Sequence, residues 1–134
     1  MRVIDASAIA KYVLREAQWE EVRDQLAAEP CSLDLALAEV ANAIWKHQVI
    51  YRKISGREAA LLYEALQKLG ADVLVLESFA GYLRGATELA VKDKITIYDA
   101  LFLVQAQKYG YFVTSDELQR TIAVKLGLDV VFLE

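Results

Sequence analysis

Residues 1–10 read MRVIDASAIA, and the point at which this apolar run stops decides the fold. Arg2-Val3-Ile4 has the β-branched character of a short strand. It ends on a carboxylate, Asp5. The Asp-Ala-Ser that follows reads as a strand-to-helix hinge in which Ser7 caps a helix beginning at Ala8. An acid at the C-terminal end of a strand lies where open α/β sheets gather their ligands. The rest of the chain is therefore read for parallel strands and for acids able to meet Asp5.

Outward from this stretch, Ile9, Tyr12 and Val13 mark the first helix, and a second runs from about Gln18 to Ala28. Its Trp19, Val22 and Leu26 form an amphipathic stripe, which together with Tyr12 is expected to lie partly in an interface with another chain. Glu29-Pro30 breaks that helix, and Cys31-Ser32 forms a short strand or a turn. A third helix spans about Leu33 to Ile50. Ser55-Gly56-Arg57-Glu58 is a capping box opening a helix to Leu69, with Gly70 as its C′ residue. Asp72 to Leu76 is a strand, Ser78 caps the next helix, and Thr96 caps an apolar helix from Ile97 to Tyr109 that Gly110 ends. Tyr111 to Thr114 is a strand running into Asp116. A last helix, Glu117 to Leu126, leads through Gly127 to a strand at Val130 to Leu133. Strands alternating with helices predict an α/β fold: a three-layer α/β/α sandwich around a central parallel sheet, with residues 1–134 forming one domain.

With 56% hydrophobic residues, one Pro and six Gly, the chain is not disordered or low in complexity. The lone Cys31 has no internal disulfide partner and no signal-peptide pattern opens the chain, so a cytoplasmic location is expected. No apolar run approaches the roughly 20 residues of a membrane span. The net charge of −4 argues against a large electrostatic footprint for nucleic acid. Four carboxylates gathered on a divalent cation would leave the remaining acids equal in number to the bases, however, and the cation would supply local positive charge.

Four acids are candidates for such a group. Asp5 and Asp116 both follow strands, and in a parallel sheet they face the same edge. Glu39 lies in the nearly all-apolar stretch LDLALAEVANAIW, on one narrow stripe with Asn42 and Lys46. A carboxylate in that setting needs a partner, Lys46 or a metal, because an unpaired buried charge costs several kcal/mol. Asp99 occupies the first turn of its helix. Singly, Asp5, Asp99 and Asp116 read as cap or turn residues. As a set they read as oxygen ligands for Mg²⁺ or Mn²⁺. The basic segment around Lys46, Arg52, Lys53 and Arg57, with Tyr51 among them, reads as a solvated face that could also contact phosphates.

Asp5-Ala-Ser-Ala after the first strand, Glu39-Val-Ala-Asn42-Ala in a helix, Ile97-Tyr98-Asp99-Ala100 opening another, and Thr114-Ser115-Asp116 after a strand together resemble the PIN-domain family. The resemblance is to the VapC-type toxins of toxin-antitoxin pairs. It covers essentially the whole chain. It implies a Mg²⁺- or Mn²⁺-dependent endoribonuclease acting on RNA, a homodimer, and neutralisation by a VapB-type antitoxin. Carried over position by position, it implies that Asp5, Glu39, Asp99 and Asp116 are the catalytic, metal-holding quartet. Asp5 and Asp99 then touch metal directly, and Glu39 and Asp116 do so directly or through water. Ser7, Asn42 and Thr114 match the supporting polar positions, and Glu117 assists through water. Hydrolysis by metal-activated water needs no histidine base, and His47, the only histidine, lies beyond the Glu39 stretch. Two rival readings fall away: position 7 is Ser, so the Asp-x-Asp of haloacid-dehalogenase-like phosphatases is missing, and the acid pair and late Lys of a receiver domain are missing as well. A non-catalytic interaction module on the same fold stands as the alternative, as does an RNA-processing nuclease outside any toxin-antitoxin system.

Overall fold

The computed structural model describes all residues, 1–134. Five strands, β1 (Arg2–Ile4), β2 (Pro30–Leu33), β3 (Val75–Glu77), β4 (Tyr111–Thr114) and β5 (Asp129–Phe132), form one sheet in the order β3-β2-β1-β4-β5. Every pairing is parallel, with Val3 opposite both Cys31 and Phe112. Parallel sheets need cover on both faces. That cover comes from α1 (Ala6–Val13), α2 (Trp19–Leu26), α3 (Leu35–Trp45) and α4 (Gly56–Lys68) on the way out to β3, and from α5 (Leu83–Asp93), α6 (Ile97–Tyr109) and α7 (Glu117–Lys125) on the way back to β5. Right-handed crossovers in the two opposite directions place these groups on opposite faces. The chain reverses its winding between β1 and β4, so the switch point lies between the ends of those two strands.

The central strands are sealed on both sides: Val3, Ile4, Cys31, Leu33, Phe112 and Val113 are all fully buried. Residues on every side of α6, among them Leu101, Phe102, Leu103 and Ala106, are buried too, because the helix lies between the sheet and its neighbours α5 and α7. Gly110 closes α6 at φ 83°, a left-handed conformation that glycine adopts without a Cβ clash. No helix is long and apolar enough to cross a membrane.

Several local expectations are corrected. Asp5, not Ser7, caps α1, since its backbone is extended and its carboxylate accepts from the Ala8 amide while Ser7 is already helical. Cys31-Ser32, read as a short strand or a turn, is the strand, within Pro30–Leu33. Gly70 does not end a helix: α4 runs on through a π-helical turn, Leu69–Val73, which delays β3 to Val75. The third helix likewise passes at Lys46–Ile50 into a π turn. Val22 and Leu26 are buried in the core, and Tyr12 and Trp19 pack edge-on at 6.1 Å, with the Arg15 guanidinium 4.5 Å and 4.3 Å from their rings. The stripe on α2 is thus mostly covered from within the chain.

Candidate active site at the sheet switch point

Asp5, Glu39, Asp99 and Asp116, from four separate elements, line one cavity of about 230 Å³ at the switch point. Topology explains the convergence. β1 and β4 are neighbours, so their terminal acids emerge side by side. α3 brings Glu39 from one helical layer, and the first turn of α6 brings Asp99 from the other. Ala6, Ala10 and Ala43 keep the walls low, and Ser7, Phe102 and Gln119 complete the lining. No lysine or arginine is among these residues.

Asp5 is held most firmly. Its Oδ1 accepts from Ser7 Oγ at 2.6 Å and from the Ala8 amide at 3.0 Å, and its Oδ2 accepts from Thr114 Oγ1 at 2.5 Å. Thr114 Oγ1 in turn accepts from the Asp116 amide at 3.0 Å, and Ser7 Oγ accepts from the Ser115 amide at 2.9 Å. Two hydroxyls therefore clamp β1 to the turn after β4 while fixing one carboxylate between them. Asp116 caps α7 through the Gln119 amide, 2.9 Å from Oδ1. Thr96 caps α6 through the Asp99 amide at 3.2 Å. Capping and convergence coexist at these acids, since a cap engages one carboxylate oxygen at Asp5 and at Asp116 and only the backbone at Asp99.

The electrostatics are those of crowded carboxylates without a cation. Burial raises Asp5 to about 6 against its three hydrogen bonds, and the charge of Asp116 adds to the rise. Burial, then the charges of Asp99 and Asp5, push Glu39 up to about 7. Burial and Asp116 raise Asp99, partly offset by Thr96. Glu39 makes no ion pair with Lys46, because the chain's four ion pairs lie elsewhere.

The donor set suits a hard cation. It is all oxygen, with no His or Cys in the lining, which favours Mg²⁺ or Mn²⁺ over zinc. No three acids are drawn together into a preformed cage. Mg²⁺ usually keeps several waters and takes only one or two carboxylates directly, so it does not require such a cage.

Asn42 and Glu117 are not brought to the cavity. Asn42 is exposed on α3, and Glu117 lines a separate shallow groove with Arg120, Thr121 and Val124. Sequence reasoning missed Gln119. It is buried, donates from Nε2 to the Asp99 carbonyl at 3.2 Å, and leaves Oε1 buried without a donor. A glutamine at the third position after the Asp116 cap was the available signal, since such residues ordinarily complete a capping box. Here the side chain turns across to α6 instead.

A family model described as PIN domain matches residues 2–125. Ribonuclease VapC3 of Pyrobaculum aerophilum is 38% identical over 112 residues, covering 81% of this chain and 82% of the relative. Exonuclease VapC9 of the same organism is 27% identical over 128 residues, covering 96% and 89%. Among solved structures, FitAB bound to an IR36 DNA fragment superposes with a TM-score of 0.64 at 17% identity over 100% of this chain and 98% of that one.

Proposed function

Because the chain belongs to the PIN-domain family, we propose that it is a VapC-type ribonuclease that hydrolyses RNA phosphodiesters with a divalent cation held by Asp5, Glu39, Asp99 and Asp116. The observation that supports this best is the cavity itself: four acids from four elements, three of them with raised pKa values, and no cation in the lining. Such a site has an unmet demand for positive charge. A bound Mg²⁺ or Mn²⁺ makes water more acidic and stabilises charge building on the phosphoryl oxygens.

The chain's own residues prepare the site. Ser7, Thr114 and the Ala8 amide fix the Asp5 carboxylate before any ligand arrives, so little reorganisation accompanies binding. Thr96 and Gln119 hold the backbone of Asp99 at the start of α6. Asp5 and Asp99 are the direct ligands in this reading, with Glu39 and Asp116 acting directly or through water. Family membership also supports a biological setting: the toxin of a toxin-antitoxin pair, restrained by a VapB-type antitoxin and active as a cytoplasmic homodimer.

Single-stranded RNA incubated with the protein and Mn²⁺ is expected to be cleaved, and EDTA to abolish cleavage. Labelling each end of the RNA in turn separates internal cuts from stepwise trimming. Full cleavage in EDTA would overturn the metal-dependent reading, and Mn²⁺ without cleavage or stabilisation would favour an interaction module.

A further inference from the structure

An acid-lined cavity repels a polyanion, so the strand that reaches it needs a cationic surface nearby. One segment has that character. No acid occurs between Glu39 and Glu58, whereas Lys46, Arg52, Lys53 and Arg57 fall within this interval. All four are exposed and none forms an ion pair. Tyr51, 53% exposed, stands among them.

The segment begins one helical turn beyond Ala43, which lines the cavity. His47 Nδ1 donates to the carbonyl of Ala43, a cavity-lining residue, at 2.9 Å. The His47 ring packs edge-on against Tyr51 at 5.4 Å, and Lys53 Nζ lies 5.8 Å from the Tyr51 ring. The Lys53 amide reaches back to the His47 carbonyl at 2.8 Å, folding the chain into a compact turn. A continuous track thus runs from Ala43 through His47 and Tyr51 to Lys53.

Three local features run against stability. Lys46–Ile50 is a π turn, a form concentrated at functional sites. Arg52 holds φ 52°, a left-handed conformation that costs a residue with a Cβ. Arg57 places a cation in the first turn of α4, where the helix dipole disfavours positive charge. Rule-breaking of this kind clusters where function requires it.

We propose that Lys46–Arg57 is the docking surface for single-stranded RNA: Lys46, Arg52, Lys53 and Arg57 meet phosphates, Tyr51 stacks an unpaired base, and the strand continues past Ala43 into the acidic cavity. The proposal rests on the nuclease reading above and adds to it the residues that dock the strand and the side from which it enters.

The test is fluorescence anisotropy with a labelled single-stranded oligoribonucleotide of about ten nucleotides, in EDTA so that nothing is cut. Each lost phosphate contact lowers the slope of log affinity against log salt by roughly 0.7 for a single strand. The combined variant Lys46→Gln, Lys53→Gln, Arg57→Gln should therefore lose about 2 from the slope. Tyr51→Leu should weaken single-stranded binding about tenfold and leave duplex RNA unaffected. Arg52→Gly should weaken RNA binding while keeping or raising the melting temperature, since glycine accepts the left-handed φ. The combined variant should keep the parent's melting temperature in EDTA, because its three side chains are exposed and form no ion pair. If it binds RNA with the parent's affinity and slope while the parent cleaves RNA, the docking surface is overturned and the nuclease reading stands. If, in addition, the variant no longer self-associates, the segment is a protein interface. A parent that neither binds nor cleaves RNA overturns both.

Discussion

Glu77 and Asp5 occupy equivalent places, at the C-terminal ends of the parallel strands β3 and β1, yet their surroundings are opposite. Around Glu77 there is a surplus of donors: Tyr82 Oη at 2.7 Å, Gln105 Nε2 at 3.0 Å, Tyr109 Oη at 2.9 Å and Lys108 Nζ at 3.5 Å. Burial pushes this carboxyl up, but the hydrogen bonds from Gln105, Tyr82 and Tyr109 and the charge of Lys108 outweigh it and hold it below its ordinary value. Asp5 also has hydrogen bonds, but its neighbours are other acids and it stays high. A carboxylate at a strand end is thus no mark of function by itself. What separates the two ends is that one set of acids is already neutralised by the protein and the other is not.

Four substitutions and conditions test this contrast, beginning with the largest effect. Asp5→Asn keeps an acceptor for Ala8 and Ser7 but removes the charge. Cleavage in Mn²⁺ should fall by at least about a hundredfold, with the metal-free melting temperature nearly unchanged; RNA cleavage assays and thermal melts check both.

The second concerns pH in the metal-free protein. Asp5 and Glu39 bind protons more tightly folded than unfolded, so their contribution is full below pH 3.8 and 4.5 and is lost as pH rises through about 6 and about 7. Stability should therefore drop by about 2 kcal/mol between pH 4 and pH 8, less than full burial would give because Glu39 is partly open to solvent. Urea unfolding of the parent and of Glu39→Gln measures it, and the variant's curve should be flatter. Glu77 works in the reverse sense, its contribution being present above the ordinary glutamate range and lost on acidification.

Glu77→Leu comes third. It strips the partners from Tyr82, Tyr109 and Gln105 and should cost about 1–2 kcal/mol, while the Mn²⁺-induced rise in melting temperature stays at the parent value. A reduced Mn²⁺ response would join the two ends that the contrast separates. Smallest is Asp99→Asn in the metal-free state. Loss of charge at the N-terminus of α6 costs about 0.3–1 kcal/mol, and relief of repulsion from Asp116 offsets it, so the variant should melt within a few degrees of the parent or above it. With Mn²⁺ it should lose most of the stabilisation, which for the parent is about 2.7 kcal/mol at a hundredfold excess over Kd. A full Mn²⁺ shift in Asp99→Asn would return this acid to a capping role.

The acids were legible in the sequence because each stands at a recognisable transition, two after apolar strands and one behind Thr96, or, like Glu39, stands out in an apolar helix. Parallel topology then leaves them one edge on which to meet. Hydrogen-bond destinations were less legible. Ser7 reads as a cap from its spacing, but the Asp5 carboxylate reaches the Ala8 amide first and frees the hydroxyl to clamp Ser115. Glu117 lies next to Asp116 in sequence, but adjacent helical positions diverge by about 100°, which turns it to the outer surface. The π turns at Lys46–Ile50 and Leu69–Val73 carry no distinct periodic signal: the first leaves the helix ending at Ile50 as read, but the second carries the next helix on past Gly70. Glu77 drew no attention at all, because its partners come from residues 5 to 32 positions away in the chain.

The central place of β1 carries a consequence for synthesis. β1 is made before the other four strands of its sheet, yet it takes one of its two neighbours, β4, from residues 111–114. Until those residues arrive, Asp5 lacks Thr114, Asp116 is absent, and the half of the sheet beyond β1 has nothing to close on. Prematurely terminated fragments of this chain therefore carry no assembled centre. The centre therefore assembles late, only once residues 111–116 have joined β1.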